Sequence, residues 1–392
     1  MSAVTESTRI AVGVPRESPA EEARVALVPA VVPQLVGSGL DVIVERGAGE
    51  QAGFLDADYA KHGAHLGTRR DALEADIVVR VRGWGFDCDG NLDVSHPDQV
   101  VIALADPLGS RIEVRAAAEH KLVTLALDLV PRITRAQGMD ALSSQATVTG
   151  YKAVVLAADR LPKMFPMLTT AAGTIPPAQV FVVGAGVAGL QAIATARRLG
   201  AVVQAYDVRP AAQEDIESLG ARCILLPLAP GDAEDESGYA KELGDALYRR
   251  QQELIAQVIA GDDVVITTAL IPGAPAPTLI TADAVAGMQP GSIIVDCAAE
   301  QGGNCELTRA DETVVTDNRV TILGPTNLPS TLPHDASLMY SKNVAALLGL
   351  IVKDGRLALD EEDGIVRGIL VTTGGEIVHR RVRQALEEVR DD

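Results

Sequence analysis

Three glycines and one acid carry the clearest chemical signal in this chain of 392 residues. Gly184, Gly186 and Gly189 stand in G-x-G-x-x-G register directly after the apolar run Val180, Phe181, Val182, Val183. That spacing gives each glycine a separate job. The first admits a tight turn, the second lets a diphosphate approach the backbone, and the third lets a helix pack closely on the strand. A helix expected over 190–199 would then aim unpaired N–H groups and the positive end of its dipole at the phosphates. Asp207 ends the next expected strand, 201–206, and lies 18 residues beyond Gly189. That is close to the ~20 at which a carboxylate takes the adenosine ribose hydroxyls. A carboxylate there disfavours a 2′-phosphate and implies NAD(H) rather than NADP(H), although Arg209 nearby argues the other way. A glycine triplet alone would fit a tight loop in any α/β protein. Strand, glycines, helix, strand and acid in order specify a dinucleotide site.

A second polar group lies in VPRITRAQGMDALSSQ, residues 130–145, where Arg132, Arg135, Gln137, Asp140, Ser143 and Ser144 crowd together. The plain account is helix capping by Asp140 or the serines, with the arginines in solvent. The sharper account is a polar grip on a nicotinamide at the mouth between two domains. The segment 226–241, LPLAPGDAEDESGYAK, is expected to be a mobile lid carrying Tyr239, or else a plain linker. Metal chemistry is not indicated. Cys88, Cys223, Cys297 and Cys305 have no C-x-x-C spacing, which fits a reduced cytoplasmic setting, and the close pair His62 and His65 reads as a surface turn.

The elements that must position these groups follow from pattern. Strand signals at 9–14, 41–45, 76–81, 100–105 and 122–128 alternate with helical stretches, including 29–37 and 110–120. Such alternation implies a parallel sheet covered by helices. A helix over 139–160 precedes the glycine unit; strands at 263–270 and 293–298 follow it and complete a doubly wound sheet, and a last strand is expected at 320–323. An apolar helix over 336–352 is expected to pack across the domain junction, and 364–379 to form a hairpin turning at Gly374 and Gly375. The fold class expected is α/β: two Rossmann-like domains with parallel doubly wound sheets and a cleft between them. The first would be discontinuous, 1–138 plus 330–392, and would enclose an NAD(H)-binding domain at 139–329.

Composition limits the partners. With 53 acidic against 34 basic residues the formal charge is -19, which repels nucleic acid and anionic lipid, and aromatic residues are only 3%. The uncharged stretches 164–196 and 264–282 are broken by prolines, and 164–196 also by its glycine loop, so no transmembrane segment is expected.

At several places the sequence closely resembles the NAD(H)-binding component of proton-translocating nicotinamide nucleotide transhydrogenases. The matches are PRES at 15–18, PRITRAQGMDALSSQ at 131–145, GAGVAGLQA at 184–192, GYAKE at 238–242, TTALIPGAPAPTLIT at 267–281 and GGNCE at 302–306. Alanine dehydrogenases are similar more distantly. The resemblance implies a soluble homodimer held peripherally on the cytoplasmic face of the membrane. It would pass hydride from NADH to NADP+ held on a partner subunit, while a membrane subunit moves protons. It further implies that Arg132, Asp140 and Ser143 orient the nicotinamide carboxamide and that Gln137 reaches the nicotinamide ribose. Val187, Asp207, Val208 and Arg209 would lie along the diphosphate and adenosine ribose, with Tyr239 closing over them. The charged ending RRVRQALEEVRDD fits the split form of that family.

An amino-acid dehydrogenase must move a proton with its hydride and needs an acid or base at the substrate. Alanine dehydrogenases supply a lysine and a histidine at two strand ends. Here Arg82 stands where the lysine would, and Ala105 roughly where the histidine would. Arginine stays protonated at neutral pH and alanine has no proton to give. Arg24 matches the substrate-carboxylate arginine common to both families, so it does not separate them. Arg132, Gln137 and Asp140 are accordingly expected to act by positioning alone.

Overall fold

The computed structural model describes residues 9–83, 94–225, 245–271, 273–353 and 355–387. The chain divides into two compact units, one made of Met1–Gln145 and Ser330–Asp392, the other of Ala146–Pro329. Each is α/β, in agreement with the fold class expected. Among the described residues no helix is long and apolar enough to cross a membrane.

The first unit holds an eight-stranded sheet. From one edge its order is Glu376–Ile377, Leu370–Thr373, Val123–Ala126, Val100–Leu104, Ile77–Arg82, Ala11–Val14, Asp41–Glu45 and His65–Gly67. The six strands from the N-terminal part run parallel, and the C-terminal hairpin adds an antiparallel edge beside Val123–Ala126. Turning at Gly374 and Gly375 is as expected, but the preceding residues Gly364–Ile369 form a helix rather than a strand. His65–Gly67 and the helices Asp56–Lys61 and Arg69–Leu73 escape sequence reading, because elements of 3, 6 and 5 residues are too short to display a hydrophobic period.

The apolar helix expected over 336–352 is present as Pro333–Ile351. Its buried residues Tyr340, Val344, Leu347, Leu348 and Ile351 join the first unit's own core. Its serines explain that placement. Ser337 Oγ and Ser341 Oγ accept from the backbone N–H groups of Val25 and Val28, each at 3.0 Å, so polar positions on this helix satisfy a buried irregular stretch.

The second unit holds a seven-stranded sheet. Its order is Arg222–Cys223, Val202–Tyr206, Gln179–Val183, Val264–Thr267, Ile293–Asp296, Thr321–Leu323 and, antiparallel at the edge, Thr313–Val315. Residues alternate between two cores: Val180, Val182, Val264 and Ile266 face one, while Phe181, Val183 and Val265 face the other. Burial on both faces is why these strands read as unbroken apolar runs. The strand order reverses between Gln179–Val183 and Val264–Thr267, which makes the crevice at their carboxyl ends the place for a ligand. A small exposed hairpin, Leu168–Thr170 with Gly173–Ile175, stands where only loop was expected.

Candidate functional site

In the second unit the glycine turn joins Gln179–Val183 to the helix Val187–Arg198, which starts three residues before the expected 190. Gly184 has φ +94, a conformation side chains rarely adopt. A Cβ on Gly189 would lie 1.8 Å from the Gly184 carbonyl oxygen, so the helix can begin this close to the strand only with glycine there. A Cβ on Gly186 would meet nothing within 4 Å, and both Gly186 and Val187 are exposed. No side chain caps this helix start. Its first N–H groups are thus presented beside open space, the arrangement a diphosphate requires.

Asp207 lies just past Val202–Tyr206, and its carboxylate has two duties. Oδ2 accepts from Ala185 N at 2.7 Å, which ties the strand tip to the glycine turn. Oδ1 accepts from the Arg209 backbone N–H at 2.8 Å and from Nε at 2.9 Å, while Arg209 Nη2 donates to Oδ2 at 3.0 Å. Four donors fill this carboxylate, so ribose hydroxyls reach it only by displacing the Arg209 guanidinium. Val208 between them is half-buried. The sequence set Asp207 and Arg209 against each other as rival signals; the fold makes them one ion pair.

Another glycine of the same unit was invisible to sequence reading. A Cβ on Gly150, in the helix Ala141–Arg160, would stand 2.0 Å from the carbonyl oxygen of Ala188, so this helix touches the start of Val187–Arg198.

In the first unit the polar segment is a one-sided turn, Thr134–Met139, with only Ala136 and Met139 buried. Arg132, Arg135 and Gln137 are exposed, but Arg135 is committed: its guanidinium makes a bidentate pair with Asp363 at 2.7 and 2.6 Å. That pairing holds the Asp363 carboxyl down at about 2. Asn343 Nδ2 anchors the turn by donating to the Gly138 carbonyl at 2.9 Å. Asp140 caps the helix Ala141–Arg160 by accepting from Ser143 N at 2.9 Å and Ser143 Oγ at 2.6 Å. The turn therefore holds Gln137 exposed on a fixed base, with Asp140 and Ser143 bonded to each other directly after it.

At the sheet's carboxyl edge in that unit, Arg24 is buried against Glu22 at 2.7 and 2.6 Å and Gln145 at 2.8 Å. Arg82 Nε lies 3.6 Å from the same Glu22. Ala105 N donates to Asp128 Oδ1 at 2.6 Å, and burial pushes the Asp128 carboxyl up to about 7, a titratable group that sequence reading did not single out. Tyr239 and the segment 226–241 lie outside the described residues.

The family described as "Alanine dehydrogenase/PNT, N-terminal domain" matches residues 13–149, and its C-terminal counterpart matches residues 153–380. The first of the parts into which the NAD(P) transhydrogenase alpha subunit of Rhodospirillum rubrum is divided is 45% identical over 375 residues, 94% of this chain and 97% of that one. A transhydrogenase structure from Sinorhizobium meliloti superposes with a TM-score of 0.84 at 44% identity, covering 94% of this chain and 100% of the other. An alanine dehydrogenase of Halomonas elongata is 30% identical over 390 residues, covering 95% of this chain and 96% of its own. Identity is thus higher to the transhydrogenases than to that dehydrogenase, over almost the same length. With its strand order and glycine turn, the chain belongs to the alanine dehydrogenase/PNT family and, within it, to the NAD(P) transhydrogenase alpha subunits.

Proposed function

We propose that this chain is the NAD(H)-binding subunit of a proton-translocating transhydrogenase, exchanging hydride with NADP(H) held on a partner subunit. The observation that carries the reading is the glycine turn: open space above Gly186, an uncapped helix start and a carboxylate at the neighbouring strand tip. The bound nicotinamide would supply the hydride. Gly184, Gly186, Val187 and Gly189 would receive the diphosphate, and Asp207, Val208 and Arg209 the adenosine ribose. Arg132, Asp140 and Ser143 would orient the carboxamide, Gln137 would sit at the nicotinamide ribose, and Tyr239 would close over the bound nucleotide. Transfer between two nicotinamides requires alignment at ~3 to 3.5 Å and exclusion of water, with no acid or base. In this reading Arg132, Gln137 and Asp140 position and do not exchange protons. The chain would act as a homodimer, peripheral on the inner face of the membrane through an NADP(H)-binding subunit and a membrane subunit.

The test is reduction of an NAD analogue by NADPH in a mixture of this chain with the NADP(H)-binding subunit. Stimulation over either alone is expected, and its absence sinks the proposal. A second reading, an alanine-dehydrogenase-like enzyme, is favoured by one arrangement: Asp128, in the short helix Leu127–Leu129 just past a strand, accepts from Ala105 N at 2.6 Å, and burial raises its carboxyl to about 7. It requires the isolated chain to oxidise NADH with pyruvate and ammonia.

A further inference from the structure

The motif GGNCE at 302–306 has no part in the reading above, yet its asparagine is wholly buried. Asn304 spends both polar groups of its side chain on one loop. Its Oδ1 accepts from Ala269 N at 3.0 Å, and Nδ2 donates to the carbonyls of Ala269 at 2.8 Å and Pro277 at 2.9 Å. Only one orientation of the amide satisfies all three. Its own carbonyl accepts from Leu279 N at 2.8 Å and Ile280 N at 2.9 Å. The described loop residues so held, Ala269, Pro277, Leu279 and Ile280, follow the strand Val264–Thr267 across the strand-order reversal from the glycine turn.

That loop leans on the turn itself. Thr268 N donates to the Val183 carbonyl at 2.8 Å and Thr268 Oγ to the Gly184 carbonyl at 3.1 Å. A Cβ on Gly184 would come within 2.8 Å of the same hydroxyl and 3.3 Å of Ala269 N. Asn304, Ala269, Thr268 and Gly184 therefore form one bonded series. Asp207 lies on the opposite side of Gln179–Val183, so a dinucleotide whose adenosine ribose is at Asp207 extends its other half towards this loop.

We propose that Asn304 is a positioning residue: through Ala269 it fixes Thr268 and Ala269 against Gly184, and so shapes the side of the site that takes the nicotinamide half. This rests on the dinucleotide reading given above. In Asn304→Asp the acceptor for Ala269 N is kept while both donors are lost, and carboxylate oxygen is set against two carbonyls in a dry environment. Asn304→Ala removes the three side-chain bonds without adding charge.

The experiment is calorimetry of the full chain with NADH and with AMP, beside hydrogen exchange of the ligand-free chain. For both variants NADH affinity should fall about tenfold, the effect of losing buried hydrogen bonds, with AMP affinity kept within about twofold. Exchange should quicken at 268–280 and at Gly184 to Gly186 and stay unchanged in the first unit. Equal loss of AMP and NADH binding, unchanged NADH affinity, or unaltered exchange at Gly184 to Gly186 would each overturn the proposal. Failure of the unmodified chain to bind NADH would instead overturn the dinucleotide reading, leaving exchange to decide whether Asn304 holds the turn.

Discussion

At the scale of single residues, the decisive contact is Asp207 with Arg209. Because the guanidinium fills acceptor positions of the carboxylate, the two side chains would, in the proposed site, set specificity together rather than separately. Asp207→Asn should weaken NADH binding about tenfold, the worth of a charge-assisted hydrogen bond, and narrow the preference over NADPH. Arg209→Ala should widen that preference, since the cation that would favour a 2′-phosphate is gone. Calorimetric titration of both variants with both nucleotides checks this, and an unchanged ratio in each would place the ribose reader elsewhere. Asp128 gives a pH test. Its carboxyl is raised by burial to about 7, so the folded state holds a proton there that the unfolded state releases near 4. Stability therefore falls as pH rises between those values, by up to about 4 kcal/mol. Asp128→Asn keeps an acceptor for Ala105 N and carries no charge at any pH. It should stabilise the protein in denaturant unfolding at pH 8 and do little at pH 4, and equal effects at both would refute the raised value.

At the scale of elements, the helix Ala141–Arg160 and the helix Val187–Arg198 are set by the absence of one methyl group. Gly150→Ala would force a Cβ onto the Ala188 carbonyl at 2.0 Å. The start of the second helix must then move, at a cost of about 1–3 kcal/mol for overpacking. Since that start presents the N–H groups proposed for the diphosphate, NADH affinity should fall along with the urea midpoint. Loss of stability with unchanged affinity would mean that the helix start is not the phosphate site. The turn Thr134–Met139 is held in another way, by Arg135 with Asp363 and by Asn343. An arginine that sequence reading grouped with the polar grip is thereby assigned to support.

At the scale of the whole molecule, the family assignment and the site lead to one functional prediction with two arms. The isolated chain should bind NADH, leave pyruvate and ammonia unreacted, and transfer hydride only when mixed with an NADP(H)-binding partner. Turnover of pyruvate by the chain alone would favour the dehydrogenase reading.

Much of this was legible from local pattern. A glycine turn, the strand before it and the acid after it are fixed by residues within 28 positions of one another, and short-range sterics decide them whatever surrounds them. Both parallel sheets follow from apolar runs, since strands buried on two faces admit little else. Contacts between distant residues could not be read in this way. Asp363 lies 228 residues from Arg135, and Asn304 lies 35 from Ala269. Gly150 and Ala188 meet only once two helices cross. The apolar helix Pro333–Ile351 showed that it would be buried but not in which core, because hydrophobicity has no direction and its serines acquire meaning only beside Val25 and Val28. Sequence determined which backbone shapes and chemical groups this protein has; tertiary structure alone decided which of those groups are already spent on one another, because hydrogen bonds and close packing depend on distance in space.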